Sequence, residues 1–135
     1  MNQLLQYFTN QPKKLFLLDA IGAFLTATFI GVVMRNNLET FGLPTQEAVV
    51  MSIIACIFFC FSGICYLFVN KQQYKYIFII ATANSLYVLL SFFIFFNHFK
   101  DLTPFGIMYL LSEMATIILL VTLEFSIAKK LLKKK

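Results

Sequence analysis

Four long apolar runs, set apart by short polar breaks, organise this chain. Leu15–Met34 carries one charge, Asp19. Ala48–Val69 and Ile77–Phe96 carry none, and Phe105–Ala128 carries Glu113 and Glu124. A helix needs about 20 mostly apolar residues to cross the hydrocarbon core of a bilayer, and each run is that long. Sustained apolar–polar alternation is missing, which argues against the roughly 10-residue strands of a membrane barrel. The pattern predicts an all-α membrane protein, a four-span antiparallel transmembrane helix bundle. The whole chain, 1–135, is then one membrane domain with spans near 15–34, 48–69, 77–96 and 105–128 and a basic tail at 129–135.

The breaks support this division. Asn36, Asn37, Gly42 and Pro44 interrupt any helix between the first two runs. Thr45 is placed to cap the second helix, and Thr103 followed by Pro104 reads as a cap and first turn for the fourth. The breaks at Asn70–Tyr76 and Asn97–Pro104 are short, so consecutive spans should lie antiparallel as neighbours. The first run has a basic flank like a secretory signal. Asp19 interrupts it and it is long for such a segment, so it is read as a retained span.

Charge adds an orientation. Lys13 and Lys14 precede the first run, Lys71 and Lys75 separate the second and third, and five lysines from Lys129 to Lys135 follow the fourth. Only Arg35 and Lys100 fall on the other side, out of 11 basic residues. The positive-inside rule then puts both termini in the cytoplasm, with the protein in the inner (cytoplasmic) membrane. Tyr7, Tyr66, Tyr74 and Tyr76 gather at that same interface, as an aromatic belt does. The lysine tail suits anionic lipid head groups at roughly 1 kcal/mol per basic residue. Membrane lipids are therefore the expected partners and nucleic acid is not, because the basic cluster is short and adjoins a span. Composition agrees: 60% of residues are hydrophobic and 13% charged, against about 25% charged in soluble domains.

Helices in lipid associate through small residues and interhelical polar contacts. The first span offers Ala23, Ala27 and Gly31, with Gly22 and Thr26 alongside. The second offers Ser52, Cys56, Cys60 and Gly63, and the third Ala81, Asn84, Ser85, Val88 and Ser91. The same stripes would also serve a homo-oligomer or a membrane-protein partner. Most of the 17 phenylalanines are expected to face lipid or fill the bundle.

Ionisable groups inside a membrane are expensive and are functional candidates by default. Glu113 lies about 12 Å below the outer end of the fourth span. Asp19 and Glu124 should sit at similar depth near the cytoplasmic side, as an acidic pair. Glu113 and Glu124 are 11 residues apart, about three turns or ~16 Å, so they share a helix face with Tyr109, Thr116 and Leu120. Glu113 is the preferred proton or cation ligand, with Asn84 and Tyr87 as hydrogen-bond partners. The plainer alternative is that Glu113 only glues helices through Asn84 or Tyr87. For Asp19 and Glu124 the plainer alternative is pairing with snorkelling Lys13, Lys14, Lys129 or Lys130, helped at Asp19 by a helix N-terminus.

Other chemistry is thinly supplied. Cys56, Cys60 and Cys65 share one helix without redox-pair spacing and read as packing residues. His98 is the only histidine and reads as a solvated loop residue, so neither a metal site nor a cofactor is expected. Nucleotide, zinc-protease and serine-hydrolase motifs are missing, so no enzyme is expected.

In length and span count the chain resembles the small multidrug-resistance transporters, whose first span carries a carboxylate. Asp19 would be the matching position, yet it lies near the membrane edge and that family's aromatic and glycine motifs are missing. Membership is rejected. Four-helix DoxX-like and sterol-isomerase-like proteins share the span count and buried carboxylates, again without a motif match. The segments LLDAIGAFLTA, ATANSLY and YLLSEMATIILLVTLE are similar to those of small uncharacterised four-helix integral membrane proteins of Bacteroidota. That resemblance spans most of the chain, implies an inner-membrane location, and carries no activity with it. The expected function is binding or transport of a small solute or ion through a membrane-embedded carboxylate. The alternatives are a non-transporting accessory or structural subunit, and a lipid-like ligand binder or intramembrane enzyme.

Overall fold

Each of the three prolines stands at the start of a helix, where a missing N–H leaves nothing unpaired. The computed structural model describes residues 2–133. A short helix α1, Asn2–Asn10, ends before Pro12. Then α2, Lys13–Thr28, runs on through a π-helical stretch, Phe29–Met34. After a single-turn helix α3, Leu38–Phe41, come α4, Thr45–Phe68, α5, Gln73–Asn97, and α6, Pro104–Lys133.

Four of these helices are long and apolar enough to cross a membrane: Lys13–Met34, Thr45–Phe68, Gln73–Asn97 and Pro104–Lys133. Each predicted span is therefore present, slightly extended. The tail beyond Ala128 continues α6 as far as Lys133, because lysine and leucine favour helix and no Gly or Pro stops it. Lys134 and Lys135 lie outside the described residues. Thr45 is not a cap: it is already the first residue of α4, behind Pro44. Thr103 does cap α6, its Oγ1 accepting from the Gly106 N–H at 3.2 Å.

The bundle is two helical hairpins. α2 lies along α4 and α5 lies along α6, while contacts between the two pairs are sparse; the second and third spans, α4 and α5, are consecutive but not the packed neighbours expected. Within the first hairpin, Gly31 allows close approach: a Cβ there would overlap the Ser52 side chain, and Ser52 Oγ donates to the Ala27 carbonyl at 3.0 Å. The stripe expected on the second span is corrected by the packing. Cys56 and Cys60 point outward and a Cβ on Gly63 would meet nothing, whereas Ala48, Met51, Ala55, Ser62 and Cys65 are buried. The buried face is displaced by one position, about 100° around the helix. The third span behaves as expected, with Ala81, Asn84, Val88 and Ser91 buried. Large apolar residues such as Leu89, Phe93 and Phe96 cover the outside, as a lipid-facing surface requires.

Two clusters tie the hairpins together. At the loop end, Gly42 takes a left-handed conformation (φ 72°) against the Asp101 carbonyl, and Gly106 lies against the Phe41 carbonyl. Thr103 donates its N–H to the Phe41 carbonyl at 3.2 Å and its hydroxyl to the Thr40 carbonyl. Here Leu43, Met34, Leu102 and Leu110 form a buried core. His98 is not simply solvated. It is half-buried, with Nε2 3.5 Å from Glu47 and Nδ1 3.8 Å from Asp101. At the terminal end, Leu15, Phe16, Ile77, Ile80 and Ile127 make a second core, and α1 packs against α6.

Candidate functional site

Between these two cores all four spanning helices line a partly open cavity of about 380 Å³. Its walls are mainly apolar and aromatic, from Phe29, Phe58 and Ile117, with Asp19, Asn84, Tyr87, Tyr109 and Glu113 among its polar groups. A concave, largely apolar site with a few convergent polar groups is the usual form of a small-molecule pocket. Most of the helix face predicted for α6 lines it: Tyr109, Glu113, Thr116 and Leu120 contribute, and Glu124 lies beyond it.

At the terminal end of the cavity, Asp19 from α2 and Glu124 from α6 come side by side, each almost wholly buried. Two further helices hold the pair. Ser62 on α4 donates its hydroxyl to Asp19 Oδ2. Asn84 on α5 donates Nδ2 to Asp19 Oδ1 at 2.7 Å and reaches Glu124 at 3.4 and 3.5 Å. Equal depth on neighbouring helices was readable from the sequence; the contribution of Ser62 was not. Ser62 stands in an otherwise apolar helix, and only its position on the face shared by Ala55 and Cys65 signals it.

Two expectations are corrected by this geometry. Asn84 does not partner Glu113, because its amide faces the other two acids. Lysines do not neutralise Asp19 or Glu124: the ion pairs among the described residues join His98 to Glu47 and Asp101 only. Lys14 instead donates to the Tyr7 hydroxyl of α1 and lies 4.7 Å from the centre of that ring. The acids are too deep for the lysine stems to reach, and α1 offers the lysine a nearer partner.

Glu113 sits nearer the loop end, about three turns from Glu124. Tyr87 donates its hydroxyl to Glu113 Oε1 at 3.3 Å, as the sequence suggested. Thr26 and Tyr109 stand beside the same carboxyl. The second oxygen, Oε2, is buried and has no hydrogen-bond partner. Buried polar atoms are nearly always paired, since an unpaired one costs about 1–3 kcal/mol; among the described residues this oxygen and the Ser91 hydroxyl are the exceptions, and of the two only Glu113 lines the cavity. Asn84 and Tyr87, three residues apart on one face of α5, therefore serve different acids: Asn84 the inner pair, Tyr87 the single carboxyl above it.

No family model, curated protein or solved structure matches this chain. The chemistry must be read from the site itself. Among the described residues no three His, Cys, Asp or Glu side chains converge to hold a metal ion. The cavity offers negative or hydrogen-bond-accepting groups and aromatic faces, and no basic side chain lines it. Such a lining can hold a proton or a cation; it would repel an anion.

Proposed function

We propose that this membrane protein binds a small cationic solute in exchange for protons, with Glu113 as the exchanging group and Tyr87 orienting it. The observation that carries the reading is the unpaired Oε2 of Glu113, buried on the wall of a cavity within the membrane-spanning segments. A carboxyl in that position is neutral with a proton bound, or charged with a cation beside it. Exchange therefore keeps the site neutral: one monovalent cation enters as one proton leaves. The Asp19–Glu124 pair, joined through Asn84, supplies a second acidic station towards the terminal end. We place the protein in the cytoplasmic membrane with both termini inside, from the lysine distribution. A carrier, rather than a sealed accessory subunit, is favoured by the cavity reaching Glu113.

Proton release on cation addition tests this directly. Detergent-purified protein in weak buffer at neutral pH receives sodium, potassium, tetramethylammonium or benzyltrimethylammonium chloride, with a pH dye as reporter. At least one of the four should release protons from the native protein, and Glu113→Gln should abolish that release. Silence with all four cations, or equal release from the Gln variant, refutes the reading.

A further inference from the structure

We propose that the ligand is a monovalent organic ammonium with an aromatic body, and that it enters sideways from the bilayer between α2 and α6. This rests on the carboxyl-site reading above and specifies its ligand and its route. Charge selects a cation, since Asp19 and Glu113 line the cavity and no Lys, Arg or His does. Coordination argues against a bare metal ion. Hard cations such as calcium and magnesium take about six or more oxygen ligands, whereas Glu113 offers one free oxygen and the Asp19 oxygens are already bonded to Ser62 and Asn84. An ammonium group needs only one carboxylate and an aromatic face.

Aromatic rings are what the cavity supplies. Phe29 and Tyr109 stack at 4.4 Å between centroids, and Phe58 meets Tyr87 edge-on at 6.0 Å. All four rings line the cavity, two of them belonging to the tyrosines beside Glu113. Rings lining a carboxyl-bearing cavity add to its attraction for a cation and can pack edge-on or offset against an aromatic body. A volume of about 380 Å³ has room for one ring and a compact ammonium group, and is too small for the two chains of a membrane lipid.

The route follows from where the cavity is open. Gly22 and Leu25 on α2, and Ser112 and Thr116 on α6, line the cavity and are also exposed on the outside. These four positions lie well inside their spans, where the α2 and α6 backbones stay apart; side chains of the two helices meet on either side of them, Asp19 with Glu124 below and Thr26 and Phe29 with Glu113 and Tyr109 above. Both ends of the bundle are filled, by the loop cluster at one and the apolar core at the other. The gap therefore faces lipid tails. Its polar rim is quiet: Ser112 and Thr116 each donate to a carbonyl of their own helix at 2.8 Å. Gly22 leaves the gap wide, since a Cβ there would have no neighbour within 4 Å. An amphiphilic cation that dissolves in the bilayer meets this entrance directly.

Binding of radiolabelled benzyltrimethylammonium to nanodisc-embedded protein decides the matter. The native protein should bind it saturably and at least tenfold more tightly than tetramethylammonium or sodium compete. Gly22→Leu and, separately, Thr116→Leu should slow association at least tenfold by rapid filtration. Equal or stronger competition by sodium or tetramethylammonium overturns the ligand class. In that event, proton release by sodium that disappears in Glu113→Gln still upholds the carboxyl site. Unchanged association rates in both mouth variants overturn the lateral route. The competition experiment uses native protein alone, so failure of a variant to fold leaves the ligand class open to refutation.

Discussion

Replacing Asn84 with alanine removes the amide that joins the two inner carboxyls. Nδ2 donates to Asp19 Oδ1 at 2.7 Å and approaches Glu124 at 3.4 and 3.5 Å, so only the first contact has good hydrogen-bond length. Interhelical hydrogen bonds in membrane proteins are worth about 0.6 kcal/mol on average and up to about 1.7 kcal/mol. The Asp19 bond is short, charge-assisted when the acid is ionised, and buried, which puts it near the upper figure. The truncated side chain also loses packing, so Asn84→Ala should destabilise the bundle by about 2 kcal/mol. The single value is ambiguous, because Asp19→Ala removes a costly buried acid and can itself stabilise. The coupling is decisive. In a double-mutant cycle, measured by reversible unfolding in mixed micelles, Asn84 and Asp19 should couple by about 1.5 kcal/mol. A coupling below about 0.3 kcal/mol would refute the three-helix clamp and, with it, the assignment of Asn84 to the inner acids.

Three further outcomes are expected. Gly31→Val should destabilise the first hairpin by about 2 kcal/mol in the same unfolding assay, because its Cβ overlaps Ser52, while Gly63→Val, with open space around it, should change stability by less than about 0.5 kcal/mol. Gly42→Ala should destabilise by at least about 1 kcal/mol, since the position has φ 72° and lies against the Asp101 carbonyl; a neutral result would mean that the loop-end clasp does not close as described. In a cysteine-free background, Lys100→Cys in intact cells should react with a membrane-impermeant maleimide while Lys71→Cys should not; the opposite pattern would invert the proposed orientation.

The readable part of this chain was the part that length and charge dictate. A bilayer demands about 20 apolar residues per crossing, so four runs and their breaks stand out. Depth follows from counting along those runs, and the count alone pairs Asp19 with Glu124. Rotation about each helix axis was poorly legible. Soluble helices betray their buried face through polar residues on the other, but in these spans both faces are apolar. Cys56 and Cys60 looked like the packing stripe, whereas Ala55, Ser62 and Cys65 face inward. The same ambiguity assigned Asn84 to the wrong acid, because one position of rotation decides which carboxyl an amide meets. Helix α1 was missed for a different reason: nine mostly polar residues give no membrane signal, and only the spacing of Leu4, Leu5 and Phe8 hints at an amphipathic turn.

The cavity follows from how the helices are paired. Loop length does not set the pairing, since the shortest connection between spans joins α4 and α5, whose contacts are sparse; α2 packs on α4 and α5 on α6, and each hairpin has the means to close. Gly31 meets Ser52 in the first, and an apolar seam from Ile77 to Ile127 joins helices of the second. Between the Asp19–Glu124 pair and the Phe29–Tyr109 stack the α2–α6 contact has no such help, since Gly22 meets nothing and Thr116 is exposed. In lipid, a small residue favours association only if a partner backbone comes close to it. At Gly22 none does, although glycine lowers helix propensity by about 1 kcal/mol relative to alanine. A glycine that weakens its own helix and packs against nothing has no structural return at this position. Its place at the rim of a carboxyl-lined cavity gives it one, as the residue that keeps the entrance open.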